Sequence, residues 1–170
     1  MKKRILILCL AALLLAGCGS KKSSAAPTAD DTMPAQTRTP DFTAFNSNSE
    51  PVKLSDYFDK PIVLNFWASW CGPCTGEMPT FQAVYEELGD EVQFLMVNVG
   101  ETVDNAEAFL TSAGYTFPVL FDVNGEAAYA YQISAIPMTY FINSDGEIVD
   151  SHVGSMNEST LRSGISAIQP

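Results

Sequence analysis

The chain carries the segment Asn65-Phe66-Trp67-Ala68-Ser69-Trp70-Cys71-Gly72-Pro73-Cys74. The apolar residues 61–67 predict a buried strand, and the Cys-Gly-Pro-Cys sequence after the turn predicts a helix start. The unpaired N–H groups and the positive dipole end of a helix N-terminus favour a thiolate on the first sulfur. Two sulfurs at this spacing can also close a disulfide. The segment therefore indicates thiol chemistry.

Three kinds of site contain a cysteine pair of this spacing: a structural disulfide, half of a zinc site, and a redox-active dithiol. Zinc takes about four protein ligands. The chain has no second cysteine pair, and its one histidine, His152, lies far away in sequence. We therefore expect no metal and no other cofactor. A structural disulfide remains an alternative, and the redox pair is the favoured interpretation.

Residues 1–17 have the features of a bacterial lipoprotein signal peptide. A basic start, Met1-Lys2-Lys3-Arg4, precedes apolar residues 5–16, a run shorter than the roughly 20 residues that span a bilayer. The run ends in Leu15-Ala16-Gly17-Cys18, which resembles a lipobox, where the cysteine is acylated and becomes the new N-terminus. A transmembrane anchor, or secretion with an incidental Cys18, is the alternative. We expect lipid on Cys18 and a location on the extracytoplasmic face of a bacterial membrane.

The charge of the chain limits its partners. Loss of Lys2, Lys3 and Arg4 with the signal peptide leaves 6 Lys and Arg against 20 Asp and Glu, a net charge of −14. Such a surface is unsuited to nucleic acid and is repelled by anionic headgroups, so membrane attachment depends on the lipid. Residues 18–40 lack a hydrophobic period and predict a flexible tether. Residues 41–170 predict one domain, which we expect to be monomeric.

The pattern after residue 40 predicts alternating strands and helices, and hence an α/β fold with a mixed sheet. A helix from Pro73 to Leu88 contains Pro79, and a second helix is expected to be capped by Asp104 and to end before Gly114. The predicted strands cover residues 42–45, 52–54, 62–67, 92–99, 117–121, 139–142 and 147–153. Two further helices are predicted over 126–131 and 157–168.

The segment Trp67–Pro79 resembles the active-site segment of the thioredoxin superfamily. More narrowly, it resembles the extracytoplasmic ResA/TlpA-type thiol–disulfide oxidoreductases, some of which act in cytochrome c maturation. The resemblance extends over residues 41–170 and includes Val97-Asn98-Val99-Gly100-Glu101, Phe117-Pro118-Val119 and Ile136-Pro137-Met138-Thr139-Tyr140-Phe141-Ile142. It implies a thioredoxin-like mixed central sheet flanked by helices, with an added N-terminal β-hairpin.

The resemblance also implies the roles of individual residues. Cys71 becomes the exposed attacking sulfur and Cys74 the buried resolving sulfur of a Cys71–Cys74 redox disulfide. Pro137 falls where the superfamily has a cis-proline that faces the cysteines. The residues expected to contact the substrate are Trp70, Gly72, Pro73, Glu101, Ile136 and Pro137.

Asn65 stands where thioredoxin itself has a buried aspartate that handles protons. Glu77 lies three residues after Cys74, which places it on the same face of the predicted helix. In ResA-like proteins a glutamate at this place is an active-site residue, and partial burial would raise its pKa toward neutrality. The alternative for Glu77 is a solvated surface glutamate. Glu101 matches another acidic position that lines the site of the family.

We expect a membrane-tethered enzyme that reduces disulfides of extracytoplasmic proteins, such as apocytochrome c. The Gly-Pro dipeptide matches that of reducing thioredoxins, whose potentials lie near about −270 mV. A reductase outside the cytoplasm needs electrons from a membrane partner of the CcdA type. The alternatives are an oxidase that installs disulfides, a reductant for a methionine sulfoxide reductase, and a non-catalytic binding or chaperone lipoprotein.

Overall fold

The computed structural model describes residues 37–170, which contain eight strands and four α-helices. In chain order the elements are β1 (Thr37–Arg38), β2 (Thr43–Phe45), β3 (Pro51–Lys53), a 3-10 turn (Leu54–Tyr57), β4 (Ile62–Trp67), α1 (Gly72–Leu88), β5 (Gln93–Asn98), α2 (Val103–Ala113), β6 (Val119–Phe121), α3 (Glu126–Ala130), β7 (Met138–Ile142), β8 (Glu147–Val153) and α4 (Glu158–Ile168).

The strands form one mixed sheet in the order β1-β8-β7-β4-β5-β6-β2-β3. At its centre β4 pairs in parallel with β5 and antiparallel with β7. Strands β7 and β8 pair antiparallel as a hairpin, and β2 pairs antiparallel with β3. The expected thioredoxin-like mixed sheet flanked by helices is confirmed. Because β4 is a central strand, the turn after it lies near the middle of the sheet, at the C-terminal end of β4.

The side chains of β4 alternate between two apolar cores, one on each face of the sheet. Val63 and Trp67 join the core that contains residues of α1, α2 and α4, while Leu64 and Phe66 join the core on the other face. This burial on both faces explains the continuous apolar run that predicted the strand. Asn65 is two residues from both Val63 and Trp67, so its polar side chain lies on the same face of the sheet, toward α1.

Helix α1 begins at the cysteine pair and runs as one element of 17 residues through Pro79. It ends at Leu88, before Gly89 as predicted. A Cβ atom at Gly89 would lie 2.7 Å from the backbone oxygen of Tyr85, so a close approach explains the glycine. The buried residues of the helix, Cys74, Glu77, Met78, Phe81 and Val84, lie against the sheet.

Two local features differ from the sequence prediction. Thr102, not Asp104, is the N-cap of α2, because its side chain accepts a hydrogen bond from the Asn105 N–H. Strand β1 lies within the range expected to be a tether, where it pairs with β8. Thr39 is buried beside it and donates its N–H to the Gly146 carbonyl. The folded part of the chain therefore starts by residue 37, not at residue 41.

The expected signal peptide, the acylated Cys18 and most of the tether lie outside the described residues. Within residues 37–170, no helix has the length and apolar character to span a membrane.

Candidate active site

The cysteine pair lies where the turn after β4 enters α1. Cys71 is the N-cap residue, and the Cys74 N–H donates to its Sγ at 3.3 Å. The two sulfurs form a disulfide, with the Cα atoms 5.2 Å apart. Cys74 is fully buried, whereas 6% of Cys71 is exposed. Cys71 is thus the more accessible sulfur, although it is more covered in this oxidised state than the sequence suggested.

The helix start favours the thiolate form of Cys71 when the disulfide is reduced. The backbone N–H of Cys74 already points at the Cys71 sulfur. A negative charge at that sulfur would gain from this hydrogen bond and from the positive end of the dipole of α1. The arrangement therefore suits Cys71 to attack a disulfide at neutral pH.

The loop before β7 faces the disulfide. The Ile136 carbonyl oxygen lies 3.8 Å from the Cys71 sulfur, and the Ile136–Pro137 peptide bond is cis. Trp70, directly before Cys71, is 65% exposed. Trp70 and Ile136 both line a mostly apolar groove of about 380 Å³. Three of the residues expected to bind substrate are therefore close to the more accessible sulfur.

Glu77 is almost completely buried, with only 3% of its surface exposed. Its Oε1 accepts a hydrogen bond from the Asn65 side-chain amide at 3.0 Å, and its Oε2 accepts one from the Met156 N–H at 2.9 Å. Burial raises the pKa of the Glu77 carboxyl from 4.5 to about 7, although both hydrogen bonds act to lower it. A solvated surface position is thereby excluded, and the carboxyl can take up or release a proton near neutrality.

Asn65 connects this carboxyl to β7. The same amide nitrogen that contacts Glu77 also donates to the Thr139 hydroxyl at 2.9 Å. Asn65 and Thr139 are fully buried and face each other in register on neighbouring strands. Sequence reasoning identified Asn65 as a departure from thioredoxin but did not identify Thr139 or Met156. To identify Thr139 from the sequence, one would have needed to know that β4 pairs with β7 and in which register.

An open cavity of about 520 Å³ lies next to Glu77 and connects this part of the site to solvent. Its lining includes Pro73 and Glu77 from α1 and Met156 from the loop before α4. No lysine, arginine or histidine lines this cavity in the part of the chain that the structure describes. Burial rather than a nearby cation therefore governs the proton affinity of Glu77.

Glu101 fixes the turn before the cysteines. Its Oε1 accepts hydrogen bonds of 2.6 Å from the Ser69 N–H and from the Asn98 side-chain amide, and its Oε2 accepts the Ser69 hydroxyl. The carboxylate thereby joins the end of β5 to the turn that carries Trp70 and Cys71. Its acceptor sites are used by the protein itself, which favours a structural role over the contact with substrate that the sequence suggested.

The remaining sequence candidates are distributed around the pair. Gly72 is the first residue of α1, and a Cβ atom there would meet nothing within 4 Å. Pro73 follows it at the cavity of Glu77. Within residues 37–170, no three His, Cys, Asp or Glu side chains come together in a group that could hold a metal ion.

The sequence pattern described as the AhpC/TSA family matches residues 35–151. The chain belongs to this family. It is 35% identical over 132 residues to the thiol–disulfide oxidoreductase ResA of Bacillus subtilis, an alignment that covers 77% of this chain and 74% of that protein. With the cysteine pair at the start of α1, this establishes a ResA-type thiol–disulfide oxidoreductase and confirms the expectation of an enzyme.

Solved structures agree with this assignment. A thiol:disulfide interchange protein DsbE of Chlorobium tepidum superposes with a TM-score of 0.72 at 29% identity, covering 79% of this chain and 97% of that one. An exposed lipoprotein thioredoxin of Streptococcus pneumoniae superposes with a TM-score of 0.60 at 28% identity, covering 74% of this chain and 98% of that one.

Proposed function

We propose that the protein is a lipid-anchored reductase that delivers electrons to disulfides of extracytoplasmic proteins. The observation that carries the proposal is the Cys71–Cys74 disulfide at the start of α1, with the Ile136 carbonyl 3.8 Å from the more accessible sulfur. The pair can supply both sulfurs of a thiol exchange: Cys71, the less buried cysteine, as the attacking sulfur, and Cys74, one turn inside the helix, as the resolving sulfur.

The reaction starts from the reduced pair. The Cys71 thiolate attacks one sulfur of the substrate disulfide, and the other substrate sulfur leaves as a thiolate that takes up a proton. The Cys74 thiol then loses its proton to Glu77 and attacks the Cys71 sulfur, which releases the second substrate sulfur. The substrate gains two electrons, and the Cys71–Cys74 disulfide forms. Glu77 is suited to this proton transfer because its pKa lies near neutrality.

The substrate segment lies against Trp70, Ile136 and Pro137 in this proposal. These residues flank the Cys71 sulfur, and the groove between Trp70 and Ile136 is open at the surface. Gly72 and Pro73 lie next to the attacking sulfur and lack bulky polar side chains, which leaves room for the incoming disulfide.

We further propose that Cys18 carries the lipid and that residues 18–36 tether the domain. The Leu15-Ala16-Gly17-Cys18 sequence supports this, and the similar pneumococcal structure is described as an exposed lipoprotein. Cys18→Ala should abolish lipid labelling and membrane retention without unfolding the domain. Retention of this variant in membranes would contradict the lipid anchor.

A reductase outside the cytoplasm must be reduced again after each turnover. The surrounding compartment favours disulfides, so we propose a transmembrane thiol partner of the CcdA type as the electron source. Among substrates, we favour the haem-binding Cys-x-x-Cys-His disulfide of apocytochrome c. An extracytoplasmic methionine sulfoxide reductase is the second candidate.

Trapping of mixed disulfides tests the mechanism. Cys74→Ser removes the resolving sulfur, so partner proteins should accumulate as mixed disulfides on Cys71. Cys71→Ser is the matched control, since it keeps one sulfur but loses the attacking one, and should trap almost nothing. Equal trapping by both variants would contradict the assigned roles. The wild-type protein should also catalyse the reduction of a protein disulfide by dithiothreitol.

A further inference from the structure

We propose that Thr139 is a positioning residue for the proton step of the site, because its hydroxyl orients the Asn65 amide with an N–H group toward the Glu77 carboxylate. The inference rests on the proton transfer in the proposed function and adds a residue to it. Thr139 lies on β7 directly opposite Asn65, and both side chains are fully buried. Its effect on Glu77 is indirect, since it acts through the amide between them.

The amide nitrogen of Asn65 has two acceptors. It donates to Glu77 Oε1 at 3.0 Å and to Thr139 Oγ1 at 2.9 Å. A side-chain amide nitrogen carries two N–H groups, so each acceptor takes one of them. Both donors are therefore paired, which a buried amide requires because an unpaired buried N–H group is costly.

The oxygen end of the same amide has no partner. Asn65 Oδ1 is buried, and no hydrogen bond from the described residues reaches it. The orientation of the amide plane therefore depends on the two acceptors at the nitrogen end. One of them, Glu77, is the group that gains and loses the proton. Thr139 is the other, and its strand is paired on both sides, by β4 and by β8, so its hydroxyl is a fixed acceptor.

The orientation of the amide affects how tightly Glu77 holds a proton. Glu77 Oε2 accepts the Met156 N–H at 2.9 Å, so Oε1 is the oxygen that faces Asn65. The hydrogen bond from Asn65 lowers the pKa of Glu77 against the larger, opposing effect of burial. If the N–H group turned away, burial would be less opposed and the carboxyl would bind its proton more tightly.

Few charged groups face this cluster. On α1 they are the Glu77 carboxyl and the cysteine pair, which does not titrate while it is a disulfide. On β8, His152 lies opposite Thr139. The strands β4 and β7 and residues 154–157 before α4 contribute no charged side chain. On α4, which packs against α1, β7 and β8, Arg162 pairs with Glu158 and with Glu87 of α1 at the surface.

Two substitutions of Thr139 test the proposal. Thr139→Val removes the hydroxyl and keeps the shape of the side chain, so one N–H group of Asn65 loses its acceptor and the amide turns from Glu77 to relieve this. In the full-length oxidised protein, carbon NMR of the Glu77 carboxyl should show a pKa raised by about 1. Thr139→Ser keeps the hydroxyl and is the matched control, which should titrate as the wild-type protein does. An unchanged titration in Thr139→Val would overturn the proposal.

A histidine variant separates the hydroxyl from the charge on the neighbouring strand. The pKa of Glu77 should rise equally when Thr139→Val is introduced into His152→Gln. If the rise disappeared in that background, Thr139 would act through His152 and the proposed role would be wrong.

A measurement on the wild-type protein covers the case in which Thr139→Val does not fold. The nuclear Overhauser effect between the side-chain N–H protons of Asn65 and the methyl protons of Thr139 should be present at about pH 5 and at about pH 9, on either side of the Glu77 pKa of about 7. Its loss at the lower pH would mean that the charge of Glu77 alone orients the amide, which would overturn the proposal.

The reduction of hydroxyethyl disulfide distinguishes this inference from the proposed function. In the reduced Thr139→Val protein, the pH at which the Cys74 attack reaches half of its maximal rate should rise by about 1, whereas Thr139→Ser should keep the wild-type profile. Failure of the wild-type protein to reduce this disulfide would contradict the reductase, and the NMR measurements would still decide the role of Thr139. Normal reduction with identical pH profiles in the wild-type protein and Thr139→Val would contradict only the role of Thr139.

Discussion

The Glu77 carboxylate and the Asn65 side-chain amide are joined by a buried hydrogen bond of 3.0 Å. Asn65 lies on the central strand β4, and Glu77 lies on α1, one turn after Cys74. Asn65 stands where thioredoxin has its buried aspartate, and Glu77 is the carboxyl nearest in sequence to Cys74. The hydrogen bond therefore joins these two positions. In the proposed mechanism the proton acceptor therefore lies on α1 rather than on β4.

The stability of the oxidised protein should depend on the protonation of Glu77. Its pKa in the folded state is about 7, above the value of 4.5 for an unperturbed carboxyl. The folded state thus holds a proton that the unfolded state has lost, and stability falls as pH rises from about 4.5 to about 7. Glu77→Gln should remove this loss, which amounts to about 3 kcal/mol above pH 7. Urea unfolding of both oxidised proteins at a series of pH values measures it. If the free energies of unfolding of the wild-type protein and of Glu77→Gln changed equally with pH, the raised pKa of Glu77 would be contradicted.

Glu77→Gln should also change the reactivity of the reduced pair. Removal of a nearby negative charge makes the thiolates easier to form, which lowers the apparent thiol pKa values. Loss of the proton acceptor should slow disulfide exchange by about 10²-fold. Alkylation rates against pH and stopped-flow exchange rates measure the two effects. Superimposable profiles with equal rates would show that the proton acceptor lies elsewhere.

Asn65→Asp should produce a coupled pair of carboxyl groups. The new carboxylate would lie about 3 Å from Glu77, where two like charges disfavour each other and one apparent pKa is raised further. Carbon NMR titration of the side-chain carboxyl groups in the oxidised protein measures this. The double variant Asn65→Asp/Glu77→Gln is the control, since it leaves one carboxyl and should restore a single titration. Two independent titrations near the ordinary value in Asn65→Asp would contradict the contact.

Glu101→Gln should destabilise the turn before Cys71. A glutamine side chain offers one acceptor oxygen in place of two, so the hydrogen bonds from Ser69 and Asn98 cannot all persist. We expect a loss of about 1–3 kcal/mol in stability and faster amide exchange at Ser69. Asp104→Asn, at an exposed position in α2, is the matched control. A raised KM with unchanged stability would instead support the contact between Glu101 and substrate that the sequence suggested.

The central part of the fold was predictable because its signals are local. The apolar run of β4, the cysteine pair with Pro73, and the stop of α1 before Gly89 each depend on a few neighbouring residues. Local signals also explain why Asp104 was wrongly predicted as the N-cap of α2. Thr102 and Asp104 both favour an N-cap position, and the choice depends on where the chain leaves β5.

The partners of the site residues were not predictable in the same way. Glu77 contacts Met156, which is 79 residues later, and Asn65 contacts Thr139, which is 74 residues later. Strand register and the position of the loop before α4 determine these contacts, and neither has a local sequence signal. Glu101 illustrates the same limit, because its acidic character was recognised but its bond to Ser69, 32 residues earlier, was not.

The reduction potential of the Cys71–Cys74 pair tests the proposed reductase most directly. It is measured by equilibrating the protein with defined ratios of reduced and oxidised dithiothreitol and quantifying the disulfide. A reductase with the Gly-Pro dipeptide of thioredoxin should have a potential near about −270 mV, low enough to reduce strained or exposed extracytoplasmic disulfides once it has been recharged. A potential near about −120 mV, typical of the oxidase DsbA, would contradict the account and indicate that the protein installs disulfides.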